Sequence, residues 1–208
     1  MSITDLIFRR GIVEILHFTS LEGFTGIIHE RCVKARSLLI GTKSLEFIRR
    51  ENTPKILDEE WKGYVNLSIS KINLELLGHS KRWHPTQSWR ILSFDPVILT
   101  HHEVFFVTTN NAYWMHLERS RGVEGLERMF AEKVRGKFGY WINRTTDMPI
   151  NWTTDPQAEV LYPHELSTDH LRKVYVPTSA DEDSVVAVLA TLEHPQIVVE
   201  VRPDLFQT

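Results

Sequence analysis

Cysteine is almost missing from this chain: Cys32 is the single one among 208 residues. One thiol forms no internal disulfide and builds no cysteine-based zinc site. Long apolar runs are missing too, and none approaches the roughly 18 residues that a bilayer span requires. The opening stretch MSITDLIFRRG carries Asp5 early and has no extended apolar region, so it does not read as a secretory signal. The expected compartment is therefore the cytoplasm, with no membrane attachment. Charge of one sign is in short supply as well. A formal net charge of −3 argues against an indiscriminate basic coat for nucleic acid. No Walker loop, GxGxxG, GxSxG or HExxH pattern is present, so the usual sequence signals of a P-loop, a dinucleotide fold, a serine hydrolase or a zinc protease are lacking. The histidines at 79, 84, 101 and 102 do not stand at ligand spacing with carboxylates, and no metal is expected. Cys32 sits among Arg31, Lys34 and Arg36, cations that would lower its pKa. An inert buried thiol is the plainer reading.

What is present is a globular composition, 42% hydrophobic, in a length that suits one domain. Alternation and β-branched content predict strands over 12–18, 63–70, 89–95, 103–109, 157–163, 172–177 and 196–203, with a shorter one over 34–39. Ser20 reads as the N-cap of a helix over 21–31 whose apolar face is Leu21, Phe24, Ile27 and Ile28. Further helices are expected over 43–52, 110–120, 123–134 and 179–194, the last with an acidic first turn that suits the helix dipole. Residues 96–100 read as a short helical turn, and 136–156 as an irregular polar and aromatic loop. Strands and helices do not alternate as a doubly wound sheet demands. The expectation is an α+β chain, one domain over 1–208, with a mixed or antiparallel β core and flanking helices.

The stretch QAEVLYP, 157–163, places a carboxylate inside an apolar run. Strand alternation puts Gln157, Glu159 and Leu161 on one face. Acidic side chains are poor strand formers and are seldom buried unless paired. Glu159 therefore either faces solvent on an edge strand or is a catalytic carboxylate held rigidly by a sheet. Two other stretches interleave cations with aromatics. HSKRWHPTQSWR holds Arg82, Trp83 and Trp89, and KVRGKFGYWINR holds Arg135, Lys137, Phe138, Tyr140 and Trp141. A local groove for a single strand needs that mixture of positive charge and stacking platforms, although Trp83 and Trp89 could equally belong to the core.

Four segments in order, HFTS at 17–20, GYVNLSIS at 63–70, FFVTTNNAY at 105–113 and QAEVLYP at 157–163, resemble the ADP-ribosyltransferase fold. They are most similar to the DarT family of toxins that ADP-ribosylate single-stranded DNA. The resemblance spans about residues 12–177. It implies an enzyme that takes NAD+ as co-substrate, with Glu159 as the catalytic glutamate and Arg49 or Arg50 as a supporting catalytic arginine. It implies cofactor contacts from His17, Phe18, Thr19, Tyr64, Ser68, Ser70 and Asn111. By their composition, Arg82, Trp83, Trp89, Arg135, Lys137 and Tyr140 are the expected DNA contacts. The thymidine-modifying branch commonly continues its Tyr-Val strand as Pro-Phe-Tyr-Phe, where this chain has YVNLSIS. That departure places the chain nearer the guanine-modifying branch, or makes it a more distant relative, and guanine is expected in preference to thymine. The resemblance further implies a toxin paired with an antitoxin ADP-ribosylglycohydrolase carrying a macrodomain or a related fold. An ADP-ribosyltransferase acting on RNA or protein, and a non-catalytic binding module on the same scaffold, are the alternatives.

Overall fold

The computed structural model describes residues 1–39, 59–113 and 117–207. The helix expected over 43–52, and with it Arg49 and Arg50, lies outside the described residues.

The chain opens on a helix that sequence reasoning passed over, α1 (Ile3–Arg10). Ser2 and Asp5 close a reciprocal capping box, and Gly11 in the left-handed region ends the helix. β1 (Ile15–Ser20) runs into α2 (Leu21–Glu30). Ser20 caps α2 as expected, its hydroxyl accepting from the Gly23 N–H at 3.1 Å. Only a glycine fits at 23, because a Cβ there would run into the Thr19 hydroxyl. The short strand expected over 34–39 forms earlier, as β2 (Cys32–Lys34), and Arg36–Leu39 is a 3₁₀ turn instead. β3 (Tyr64–Ile69) follows, then α3 (Leu74–Trp83), a second unforeseen helix, capped by the Asn73 side chain on the Leu76 N–H. β4 (Trp89–Phe94) and β5 (Phe105–Val107) match the expected strands.

The helix expected over 110–120 is not borne out at its described ends. Asn110 turns its side chain onto the Ala112 N–H, which makes a local turn that competes with helix. Residues 119–121 form β6 (Arg119–Arg121) against β5. α4 (Gly122–Arg128) stops short of the expected 134; β7 (Lys133–Arg135) begins inside that expected helix and pairs as a hairpin with β8 (Trp141–Asn143), which lies in the stretch expected to be irregular. β9 (Glu159–Pro163), β10 (Glu165–Ser167), β11 (Leu171–Val176), α5 (Ser179–Thr191) and β12 (Val198–Val201) complete the chain.

Eight strands make one mixed sheet in the order β12-β11-β4-β1-β3-β9-β5-β6. Its pairs are antiparallel except β11 with β12. The larger core covers one face, where Phe24, Ile28, Leu67, Phe106 and Val160 pack together. A smaller cluster of Leu16, Leu77, Trp89, Ile91 and Tyr175 covers part of the other. Among the described residues no helix is long and apolar enough to cross a membrane.

The site follows from one irregularity. β1 pairs with β4 over its whole length, but with β3 only at Ile15↔Ile69 and Leu16↔Ser68. Beyond Leu16 the two strands part, and a cleft opens between them.

Candidate functional site

Along β3 the residues alternate strictly: Val65, Leu67 and Ile69 are buried, while Tyr64, Asn66 and Ser68 are partly exposed to the cleft. The cleft has a volume of about 620 Å³, inside the range that holds a small organic ligand. His17, Phe18 and Thr19 of β1, Trp61 beside β3, and Glu159 of β9 also line it.

Glu159 does not face bulk water. It is 5% exposed. Its Oε2 accepts from the Asn111 backbone N–H at 2.8 Å and from the Asn66 Nδ2 at 3.0 Å, and its Oε1 accepts a longer bond from the Asn110 Nδ2 at 3.4 Å. These donors come from β3 on one side of β9 and from the turn after β5 on the other. That turn is held in place by Arg119, whose Nε donates to the Asn111 Oδ1 at 2.6 Å.

His17 bridges the parted strands. Its Nδ1 lies 3.0 Å from the Asn66 backbone carbonyl, which can only accept, so Nδ1 carries the proton and Nε2 is left as an acceptor. The ring lines the cleft and is partly buried, and desolvation pushes its pKa down despite that bond. It is neutral at pH 7. Phe18 meets Trp89 edge to face at 5.8 Å, and Tyr64 packs on Trp61 at 5.2 Å.

Other expected site residues fall less simply. Ser68 lines the cleft. Ser70 does not: it follows the end of β3 with φ 56°, and its hydroxyl is buried without a partner. Asn111 contributes its backbone N–H to Glu159, while its side chain turns to Arg119, so it is Asn110 and Ala112 that line the cleft. Trp89 is 8% exposed and packed in the smaller core, so it cannot offer a stacking face to an incoming base. Trp83, 51% exposed at the end of α3, stacks on His79 at 5.6 Å, and Arg82 donates to the same histidine. The β7–β8 hairpin carries the second basic and aromatic group. Arg135 lies 3.8 Å over the Trp141 ring, and Phe138 and Tyr140 are exposed. Lys137 reaches the rim of the cleft, where its Nζ stands 3.4 Å from the Glu75 carboxylate.

Cys32 lines the same cleft, but burial and then the Glu165 carboxylate push its thiol up to about 11. The neighbouring cations do not prevail, and the thiol is inert at neutral pH. Among the described residues no three His, Cys, Asp or Glu side chains converge where a metal could sit.

Sequence reasoning missed Asn66, Asn110 and Glu75. An asparagine on the polar face of a strand and a glutamate on a short helix carry no pattern that marks them. Asn66 was in view inside YVNLSIS, but only as a departure from a family pattern.

A sheet that parts beside its central strand, with a glutamate on one lip and a histidine across the gap, is the frame of an NAD-dependent ADP-ribosyltransferase. The chain belongs to the DarT family: the family model described as "ssDNA thymidine ADP-ribosyltransferase, DarT" matches residues 16–207. No curated protein matches the chain. Among solved structures it is similar to Thermus sp. 2.9 DarT in complex with NAD+, at 15% identity and a TM-score of 0.62, covering 94% of this chain and 98% of that one. The same Thermus protein in complex with ADP-ribosylated ssDNA gives 16% identity and a TM-score of 0.59, over 95% and 97% of the two chains. Thermosipho africanus DarTG in complex with ADP-ribose gives 12% and 0.58, over 93% of this chain and 51% of that one. At such identities the likeness is one of fold.

Proposed function

We propose that this chain transfers ADP-ribose from NAD+ to a base of single-stranded DNA, guanine in preference to thymine. It would act in the cytoplasm as the toxin of a toxin–antitoxin pair. The observation that carries the enzymatic part is Glu159: a carboxylate withdrawn from bulk water, fixed by donors from both neighbouring strands, on the lip of a cleft.

The residues present fit NAD+ as substrate. The cleft has the volume, and His17 Nε2 and Glu159 are acceptors for ribose hydroxyls. Thr19 and Ser20 add hydroxyls, and Phe18 and Tyr64 add aromatic walls. Glu159 would accept a hydrogen bond from a hydroxyl of the nicotinamide-bearing ribose. Its negative charge would stabilise the positive charge that builds on that sugar as the bond to nicotinamide breaks, as a carboxylate does in glycoside hydrolysis. Nicotinamide leaves as a neutral group and needs no acid. A base nitrogen bonds to the freed anomeric carbon, and Glu159 is placed to take the proton that nitrogen gives up. Neutral His17 holds its ribose contact with a lone pair and adds no cation to the developing positive charge. The supporting arginine expected from Arg49 or Arg50 would bind the pyrophosphate.

The DNA reading is supported by the family, by Lys137 at the rim with Phe138 and Tyr140 exposed beside it, and by exposed Trp83, which also lines the cleft. A single strand lowers the cost of presenting an unstacked base. Guanine is favoured by the YVNLSIS strand; the family description, which names thymidine, favours thymine. The name DarTG of the Thermosipho protein supports a partner gene product, here an antitoxin ADP-ribosylglycohydrolase of macrodomain or related fold. The test is incubation with isotope-labelled NAD+ and oligonucleotides, followed by mass spectrometry of the nucleosides. Label on guanine supports the full reading, and label on thymine overturns the base alone. Label only on RNA or protein overturns the DNA reading.

A further inference from the structure

Asn66 touches both groups the reaction needs, through different atoms. Its backbone carbonyl accepts the His17 Nδ1–H at 3.0 Å, and its side-chain Nδ2 donates to Glu159 Oε2 at 3.0 Å. The residue lies on the cleft face of β3, paired to Leu161 of β9, and so stands between the histidine lip and the glutamate lip.

The two bonds do different work. The carbonyl fixes the tautomer of His17, because only a protonated Nδ1 can meet it, and this sends the Nε2 lone pair toward the ligand. The amide acts on orientation. Glu159 Oε2 already accepts the Asn111 N–H at 2.8 Å. Two donors on one oxygen, one from β3 and one from the turn after β5, fix the carboxylate plane against rotation about its last torsion, which is otherwise a broad well. We propose that Asn66 is a positioning residue of the transferase. It couples the orientation of Glu159 to that of His17 across the cleft, and its side chain holds the carboxylate in the plane that the ribose requires. This rests on the function proposed above.

Asn66→Ala separates the two roles, since it removes the amide and leaves the carbonyl for His17. Nicotinamide release, without DNA and with a single-stranded oligonucleotide, is followed at neutral pH for the parent and for this variant. The expected result is a fall in kcat of about 10- to 100-fold, the scale of one lost hydrogen bond to a charged group, with KM for NAD+ little changed. Asn66→Asp, which sets a second carboxylate against Glu159, should lower kcat further, again with KM little changed. A purely structural role would lower the melting temperature and leave kcat per folded molecule in place. Equal kcat in Asn66→Ala overturns the proposal while the function stands. A parent that labels no DNA but still releases nicotinamide overturns the DNA reading and leaves the positioning test intact. A parent that releases no nicotinamide under any condition overturns both.

Discussion

The Gln157 side-chain amide donates to the Glu75 carboxylate at 2.9 Å, and this bond joins the segment just before Glu159 to α3 across the rim of the cleft. Glu75 is also 3.4 Å from Lys137 Nζ and 3.8 Å from His79 Nε2. A negative side chain thus holds the one rim lysine of the hairpin at the point where a polyanion would enter. Replacing Glu75 by Gln keeps a bond to Gln157 available and releases Lys137. Binding of single-stranded DNA should then tighten at low salt. The slope of log affinity against log salt should steepen by about 0.7, the value for one added phosphate contact on a single strand. Fluorescence anisotropy titrations at several salt concentrations read this directly, and an unchanged slope would show that Lys137 does not meet the strand.

Glu159→Gln is nearly isosteric but lacks the charge; its carbonyl oxygen can keep the Asn66 and Asn111 donors, and its amide nitrogen cannot accept the longer bond from Asn110. The expected loss of kcat is on the order of a hundredfold or more, with a melting temperature close to that of the parent. Turnover equal to the parent would remove Glu159 from the chemistry. If the parent slows bacterial growth on expression, this variant should relieve it.

Burial lowers the His17 pKa in the folded protein, and the sign of its effect on stability follows. Above the unfolded value of about 6.5 the ring is neutral in both states and costs nothing. As pH falls below that value the unfolded chain takes up the proton first, and stability drops until the folded pKa is passed. Transfer should fall in the same window, because a protonated ring loses its Nε2 lone pair. His101 is lowered too, by burial and by His170, so the parent alone does not isolate one histidine. His17→Asn does. Its melting temperature should lose less than that of the parent between pH 7.5 and pH 5, and identical losses would place the titration elsewhere.

The parts legible in the sequence were those set by local pattern. β3 reads as a strand because its apolar residues fall at period two, and α2 reads as a helix because Ser20 precedes an apolar face. Glu159 drew notice because a carboxylate in a strand is costly unless something holds it. α1 was legible in principle, since Ser2 and Asp5 stand at capping-box spacing, but its single buried residue, Leu6, gives little periodic signal. α3 was hidden by its own cations and aromatics, which suggested a nucleic-acid surface before they suggested a helix. The turn at 110–113 read as helix because its apolar spacing outweighed the Asn110 side chain, which bonds its own backbone. Asn66 and Glu75 reach Glu159 and Gln157, partners 93 and 82 positions away, and such pairings cannot be seen without the tertiary fold.

Stability offers a check on the fold that is independent of the chemistry. Arg90 of β4 is fully buried, and its guanidinium faces Asp181 of α5 at 3.0 Å. Asp181→Ala would leave that charge with the Ser88 hydroxyl, the Trp89 carbonyl and the longer-range attraction of Glu22. Breaking one side of a buried pair costs about 3–5 kcal/mol, which for a chain of this size lowers the melting temperature by about 6–20 °C. Neither residue lines the cleft, so turnover per folded molecule should stay near that of the parent. A small thermal shift would mean that water reaches Arg90.

Strand binding and NAD+ chemistry should separate by mutation. Phe138, 74% exposed with φ 57°, stands at the tip of the β7–β8 hairpin beside Lys137, and Arg82 and Trp83 end α3. An aromatic ring left in water exposes apolar surface that a stacked base would cover. Phe138→Ala and Trp83→Ala should each weaken single-stranded DNA binding by about 1–3 kcal/mol, the range for one base on one ring. Arg82→Ala should weaken it through charge and therefore more at low salt. None of the three contacts His17, Asn66 or Glu159 through a hydrogen bond, so slow nicotinamide release without DNA should persist in each variant. Duplex DNA of the same sequence should react poorly with the parent, because the base must leave both its stack and its pairing partner. Loss of nicotinamide release together with DNA modification would place these residues in the NAD+ site, and full DNA modification in all three would move the strand to another face of the protein.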